Sequence, residues 1–213
     1  MEPLDDNLWF PEPNAEEFVA VGGDLSIERL LLAYRSGIFP WSANPITWWS
    51  PDPRAVFELH KFHVPRRLSR TMRSGKFTFT INKAFPKVIA ACSERPRDES
   101  TWIEPEFICA YTALHQAGHS HSVECWLDGK LAGGIYGIST GGLFAGESMF
   151  HHVTDAGKAA LCHLAEHLKT RGHQLFDIQM LTPATEQFGA IEIPRDEYLK
   201  RLARALEANC HFD

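Results

Sequence analysis

The sequence predicts an α+β fold in which a small N-terminal domain packs on a larger domain built from a mixed sheet flanked by helices. Residues 120–150 hold three strand-like segments separated by Asp128-Gly129 and Gly141-Gly142, dipeptides that favour tight hairpins. Helical periodicity returns from about Lys158 to Arg171, and a further apolar strand follows. Before about Lys61, prolines and tryptophans break up any long periodic segment, which sets residues 1–61 apart from residues 62–213.

Taken in order, Gly22-Gly23 make a turn and Ser26 is placed to cap a helix whose apolar face is Ile27, Leu30, Leu31 and Tyr34, ended by Gly37. In the run Trp48-Trp49-Ser50-Pro51-Asp52-Pro53-Arg54 the two prolines fix φ and remove donors, so this stretch is expected to be irregular. Trp41, Trp48-Trp49 and Trp102 then read as indoles on irregular backbone, where a flat ring can stack a base. Pro65 opens a helix on which Arg66, Arg70 and Arg73 fall at i, i+4 and i+7 and share a face. Phe77, Phe79 and Ile81 alternate with threonines as in a half-buried strand. Pro86 and Pro105 open two further helices, the first running through Cys92 and the second closing at Gly118. Strands are expected over 120–127, 130–140 and 143–150, a helix over 158–171, a strand over 174–181 and a last helix over 195–206. A meander, a helix and a further strand is the order of the GCN5-like acyltransferase fold, though a fold does not supply chemistry.

Composition narrows the class. The chain has 213 residues, 44% hydrophobic and 23% charged, as an ordinary globular protein does. No stretch approaches the roughly 20 apolar residues of a membrane span, and the acidic, proline-containing start lacks the pattern of a signal peptide, so a cytoplasmic location is expected. Five scattered cysteines suggest neither a zinc ribbon nor a disulfide framework. A net charge of −6 argues against indiscriminate nucleic-acid binding. Within it, however, the stretch 59–76 carries Lys61, Arg66, Arg67, Arg70, Arg73 and Lys76 and no acid, a stripe suited to phosphates.

Polar residues inside apolar strands mark the candidate chemistry. In Leu175-Phe176-Asp177-Ile178-Gln179-Met180-Leu181 the strand period puts Asp177 and Gln179 on one face, close enough for the carboxylate to hold the amide. Buried without partners, each group would cost about 1–3 kcal/mol, so a structural network and a catalytic pair are equally good explanations. Glu147, in Gly146-Glu147-Ser148-Met149-Phe150, is a further acid among apolar neighbours. His163-Leu164-Ala165-Glu166-His167 fits an inverted zinc-peptidase pattern, but Leu161, Leu164 and Leu168 define the buried face and place both imidazoles opposite it, exposed. No metal is expected there. His115, His119, His121 and His151-His152 read as surface or loop-end histidines.

The runs VGGDLS, YRSGIFPW, ITWWSPDPR, STWIEPEF, GHSHSVE, GGIYG, LFAGESMF and FDIQ, in this order, closely resemble the leucyl/phenylalanyl-tRNA–protein transferase family over nearly the whole chain. That resemblance implies transfer of leucine or phenylalanine from aminoacyl-tRNA to the α-amino group of proteins beginning with Arg or Lys, marking them for the bacterial N-degron pathway. It implies no cofactor, and partners that are aminoacyl-tRNA and the acceptor protein, with the enzyme a monomer. It further implies that Trp41 and Trp102 flank the terminal adenosine, and that Ile135, Phe144, Leu161 and Phe176 line an aminoacyl pocket with Gly146, Glu147 and Ser148 at its rim. Asp177 and Gln179 match the family's catalytic pair, and Arg66, Arg70 and Arg73 its tRNA-contacting helix. Departures from the family's common pattern fall at Ala184, Gln187, Phe188 and Gly157.

An aminoacyl ester is already activated, so placing the amine matters more than strong acid–base help. Gln179 is expected to accept a hydrogen bond from the amine while Asp177 orients the amide, and Asp177, a water or the ribose oxygen takes the proton. Two other classes compete. A CoA-dependent N-acetyltransferase would need a glycine-rich loop where this chain has Val153-Thr154-Asp155-Ala156-Gly157-Lys158, and a non-catalytic RNA-binding module would leave the polar strand residues without a reason.

Overall fold

A computed structural model describes Leu4 and residues 7–13, 17–94 and 101–213. Its first layer is a three-stranded antiparallel sheet, β1 (Phe18–Val21), β2 (Phe39–Ala43) and β3 (Ile46–Trp49), with β3 in the centre. Helix α1 (Ile27–Arg35) joins β1 to β2; the Ser26 side chain accepts from Arg29 N, which supplies one of the partners a helix start lacks. Gly37 follows with φ 74°, a turn conformation that favours glycine, and a Cβ on it would also crowd the end of the Leu199 side chain at 2.7 Å.

Trp48 and Trp49 are therefore not on irregular backbone. Pro51 and Pro53 lie beyond β3, and what they restrict is the chain leaving it. Trp48 is fully buried, edge-on to Phe10 at 4.8 Å, and its Nε1 donates to the Gly22 carbonyl at 2.9 Å. Trp49 packs edge-on against Phe18. These rings hold the small sheet together, and Trp48, fully buried, offers no face to a base.

The larger sheet contains β4 (Arg54–Phe57), β5 (Thr78–Ile81), β6 (Ser120–Leu127), β7 (Lys130–Thr140), β8 (Leu143–His151), β9 (Leu175–Asp177) and β10 (Ala190–Ile193), in the order β10-β4-β9-β8-β7-β6-β5. Every neighbouring pair is antiparallel except β8 and β9, so the sheet is mixed. Strand β4 precedes Lys61 yet pairs in this sheet, so the two sheets divide between Trp49 and Arg54.

Seven helices cover the sheets: α1, then α2 (Arg66–Arg73), α3 (Phe85–Ser93), α4 (Pro105–Gln116), α5 (Ala156–Thr170), α6 (Pro183–Glu186) and α7 (Arg195–Leu206), among the described residues. Alternation along β7 shows how both faces of the sheet are used. Tyr136 and Ile138 join a core with Phe85, Val88 and Phe107 of α3 and α4, while Ile135 joins a second core with Leu161, Leu164 and Leu168 of α5. A meander, α5 and then a strand parallel to β8 is the order on which the GCN5-like expectation rests. The strand expected over 174–181 stops at Asp177, and β10 and β4 are strands that sequence periodicity does not reveal.

Candidate active site

Strands β8 and β9 pair at Leu143↔Leu175, Phe144↔Phe176 and Ala145↔Asp177, then part. Tyr136 and Gly137 of β7 face Ser148 and Gly146 of β8, which leaves Glu147 as the extra residue of a β-bulge. Such a bulge re-aims a side chain that regular pairing would commit to one face. On the other side the chain leaves the sheet at Ile178 and turns at Gln179, whose φ is 57°. The parted ends, the small sheet and the segment before α4 enclose a cavity of about 290 Å³. Phe39, Pro40 and Trp41 of β2 form one wall, Trp102 another, and Glu147, Ser148, Ile178, Gln179, Met180 and Thr182 the rest.

Asp177 lies beneath this cavity with 1% of its surface exposed. Its Oδ1 accepts from Arg54 Nε at 2.9 Å and from the Gln179 backbone N at 2.9 Å. Its Oδ2 accepts from Arg54 Nη2 at 2.6 Å and from Tyr198 Oη at 2.9 Å. Arg54, equally buried, also donates through Nη1 to the Gly37 carbonyl and lies over the Phe39 and Tyr198 rings at 4.9 and 4.4 Å. Burial opposes the Arg54 charge, but the Asp177 carboxylate more than offsets it, so the guanidinium pKa is raised. One ion pair thus ties the small sheet to β4, β9 and α7.

Glu147 has a different setting. It reaches the cavity wall, where Oε1 accepts from Gln179 Nε2 at 3.1 Å and Oε2 from Tyr111 Oη at 3.1 Å. The Tyr111 hydroxyl shares a further hydrogen bond with that of Tyr34 at 2.7 Å. Burial pushes the Glu147 carboxyl up to about 7 against the hydrogen bonds of the two tyrosines. Because Gln179 spends its NH₂ on Glu147, its carbonyl oxygen is the end left for a ligand.

The structure thus brings Trp41, Trp102, Glu147, Ser148 and Gln179 to one cavity, while Gly146 and Asp177, next to lining residues in the chain, are buried and form no part of its wall. It changes how the polar pair meets. Asp177 and Gln179 do not share a strand face, and the carboxylate holds the glutamine's backbone N–H, leaving the amide side chain to Glu147. Ile135, Phe144, Leu161 and Phe176 form no part of the cavity wall; they are buried in the core on the α5 side, where Phe144 meets Phe176 edge-on at 5.6 Å and stacks on Phe212 at 5.4 Å. Arg66, Arg70 and Arg73 are exposed on α2, and among the described residues none is paired with a carboxylate.

The histidines need correction as well. His163 is half-buried and stacked on Phe79 at 4.7 Å, and His167 Nε2 is bonded to the Phe212 carbonyl at 2.6 Å, so both are packed where exposure was expected. His121, read from sequence as a surface residue, is 4% exposed, stacked on Phe212, and its pKa is lowered by burial to about 4. No group of three or more metal-ligating side chains occurs among the described residues. The segment before α5 carries Asp155 in a left-handed conformation at the helix start. An acid there opposes an anionic ligand.

Arg54, Tyr198, Tyr111 and Tyr34 were not singled out from sequence. One signal was present: Arg54 is a lone charge opening the apolar strand Arg-Ala-Val-Phe, and a buried charge requires a partner. The tyrosines gave none, because they lie on the buried faces of helices, as ordinary core residues do.

In this cavity an amide and a carboxylate meet opposite two indoles, and among the described residues neither Cys nor His lines the wall; the comparisons with known proteins place the chain among the aminoacyltransferases. The family model for the leucyl/phenylalanyl-tRNA protein transferase matches residues 56–203, and the model for that family's N-terminal domain matches residues 23–52. A leucyl/phenylalanyl-tRNA–protein transferase of Solidesulfovibrio magneticus is 48% identical over 211 residues, covering 96% of this chain and 85% of the relative. One from Anaeromyxobacter sp. strain K is 50% identical over 205 residues, covering 93% and 88%. Among solved structures, L-PGS from Bacillus licheniformis aligns with a TM-score of 0.44 at 10% identity, over 85% of this chain and 70% of that one. A GCN5-related N-acetyltransferase from Kribbella flavida aligns with a TM-score of 0.42 at 12% identity, over 76% and 59%. The chain belongs to the leucyl/phenylalanyl-tRNA–protein transferase family. No helix among the described residues is long and apolar enough to cross a membrane.

Proposed function

We propose that this enzyme moves leucine or phenylalanine, and methionine less well, from aminoacyl-tRNA to the α-amino group of proteins beginning with Arg or Lys. It acts as a monomer in the cytoplasm and marks those proteins for the N-degron pathway. The observation that carries the reading is the Gln179 amide, fixed at the cavity wall by Asp177 through its backbone and by Glu147 through its side chain, opposite Trp41 and Trp102.

Trp41 and Trp102 flank the terminal adenine, and the ester-linked amino acid lies across Gln179. Its side chain enters where β8 and β9 part, against Gly146, with Phe176 beneath and Ile135, Phe144 and Leu161 as the wall behind. Gly146 has a physical reason to be there: a Cβ would stand 3.1 Å from the Phe176 ring and narrow that entrance. An apolar pocket separates side chains differing by a methylene by only about 1–3 kcal/mol, which accounts for accepting leucine, phenylalanine and some methionine. Ser148 closes the rim beside Glu147. Arg66, Arg70 and Arg73 contact phosphates of the tRNA, an interaction that weakens with salt. Attack uses a neutral amine whose reference pKa is about 7.7–8.0, with the Gln179 carbonyl oxygen aligning its N–H.

The test is a transfer assay with tRNA charged with labelled leucine or phenylalanine and a peptide beginning with Arg. Label appears at the peptide N-terminus, and a peptide beginning with Asp stays unlabelled. Absence of label in the Arg peptide with every charged tRNA would overturn the reading.

A further inference from the structure

We propose that Glu147 receives the proton lost by the attacking α-amine and delivers it to the departing ribose oxygen. This rests on the aminoacyl-transfer reading above and assigns the proton path that reading leaves open. When the amine nitrogen bonds to the ester carbonyl carbon, the nitrogen becomes positively charged and must lose a proton before the carbon–oxygen bond to ribose breaks. The ribose oxygen leaves with the electron pair of that bond and needs a proton. One group that takes the first proton and gives it back balances the step: ester and amine enter, amide and alcohol leave.

Three groups could serve, and geometry separates them. The Gln179 amide aligns the amine but is too weak a base to hold the proton. Asp177 is 1% exposed, and both its oxygens are engaged by the four donors from Arg54, Tyr198 and Gln179. A proton from the cavity has no path to it. Glu147 is the remaining group, and among the described residues no other ionisable side chain lines the cavity. Its Oε1 accepts from Gln179 and its Oε2 from Tyr111, with the Tyr34 hydroxyl a third donor, so one of the roughly four acceptor sites of the carboxylate stays open, and it is Glu147 that reaches the cavity. The bulge that frees Glu147 from strand pairing also sets it beside the amide that aligns the amine. An amine on the Gln179 carbonyl oxygen therefore lies next to the carboxylate bonded to that amide's nitrogen.

The surroundings tune this acid for the exchange. Facing it are Tyr111 and Tyr34 from the helices, Tyr136 from β7, Asp177 from β9 and Arg54 from β4. Burial raises the carboxyl to about 7; the hydrogen bonds of Tyr34 and Tyr111 oppose the rise, Asp177 adds to it, and Arg54 opposes it. The result is close to the reference value of an α-amine, about 7.7–8.0, so the proton can move either way with little driving force lost.

The decisive variant is Glu147→Gln, of the same size, read by single-turnover transfer from Phe-tRNA to a saturating Arg peptide between pH 5.5 and 9. In the unaltered enzyme the rate rises through two ionisations, one near that of Glu147 and one belonging to the acceptor amine. In Glu147→Gln the lower ionisation disappears and the maximal rate falls by about 10²–10⁴-fold, while Phe-tRNA affinity stays within about threefold. Glu147→Asp regains part of the rate and the lower ionisation, and carries the test should the glutamine variant not fold. Unchanged rate and pH profile in Glu147→Gln, or in Glu147→Asp where that must stand alone, would overturn the proposal. A rate loss matched by an equal loss of Phe-tRNA binding would overturn it too. No transfer by the unaltered enzyme is a different result: it removes the aminoacyl-transfer reading itself.

Discussion

Asp177 and Glu147 stand on neighbouring strands, two residues apart in register, and their surroundings give them opposite work. Asp177 lies where β8 and β9 still pair, under four donors, sealed by Arg54 and Tyr198. Glu147 lies just past the point where the strands part, freed by a bulge and facing the cavity. What separates a framework carboxylate from one able to exchange a proton is how many of its acceptor sites are already taken. The polar strand residue that stands out in the sequence is the buried one, and the carboxylate open to a substrate belongs to the other strand.

The largest expected effect is at the closed carboxylate. Arg54→Met leaves Asp177 buried without its cation, and breaking a buried pair from one side costs about 3–5 kcal/mol. Chemical denaturation should show that loss, and transfer should fall with it because Gln179 is anchored through Asp177. The double variant Arg54→Met/Asp177→Leu removes the stranded charge and should recover most of the stability without recovering transfer. A loss below about 1 kcal/mol in Arg54→Met would mean that water reaches Asp177, and the difference between the two carboxylates would largely vanish.

At the open end, replacements should affect binding more than stability. Trp41 is 39% exposed and meets Phe39 at a tilt, 5.9 Å between centroids. Trp41→Ala should weaken aminoacyl-tRNA binding by about 1–3 kcal/mol, the usual contribution of one stacked base, with a much smaller change in unfolding free energy. Titration of a non-hydrolysable aminoacyl-adenosine analogue, followed by indole fluorescence, separates the two. Unchanged affinity together with a fall in stability would place Trp41 with Trp48 as a framework ring.

Much of this was legible in the sequence, and the failures share a cause. Strand β6 and helix α7 have the expected boundaries, because Asp128-Gly129 and the run after Pro194 are local signals. Strand β9 was read too long because Ile178 and Met180 continue its apolar pattern; their apolarity serves the cavity wall. Strands β4 and β10 are four residues each and pair with each other across more than a hundred residues of chain, which no local period reveals. The same holds at the site. Trp41, Trp102, Glu147 and Gln179 stand out as polar or aromatic residues in unexpected company, whereas Tyr198 meets Asp177 only once α7 folds back. Phe144 and Phe176 were placed at a pocket by the family resemblance alone, since nothing local in the sequence tells a lining residue from a core residue, and in the structure they lie in the core on the α5 side. Phe212, which fills the space against Phe144, comes from far along the chain.

The smallest effect is the most discriminating. Tyr198→Phe removes the hydroxyl that donates to Asp177 Oδ2 at 2.9 Å but keeps the ring under Arg54 at 4.4 Å. Asp177 retains three donors and Arg54 loses only a long 3.4 Å contact to that hydroxyl, so the loss of stability should be about 1–2 kcal/mol, that of one good hydrogen bond and one weak one. If Asp177 serves only to hold the Gln179 backbone, kcat should fall no more than a few-fold, with KM for aminoacyl-tRNA unchanged. If Asp177 instead passed a proton through Tyr198, removing that hydroxyl would cut kcat by a hundredfold or more at nearly full stability. Steady-state kinetics beside a denaturation curve decides between them, because a purely structural hydroxyl cannot produce a large kinetic loss at so small a cost in folding.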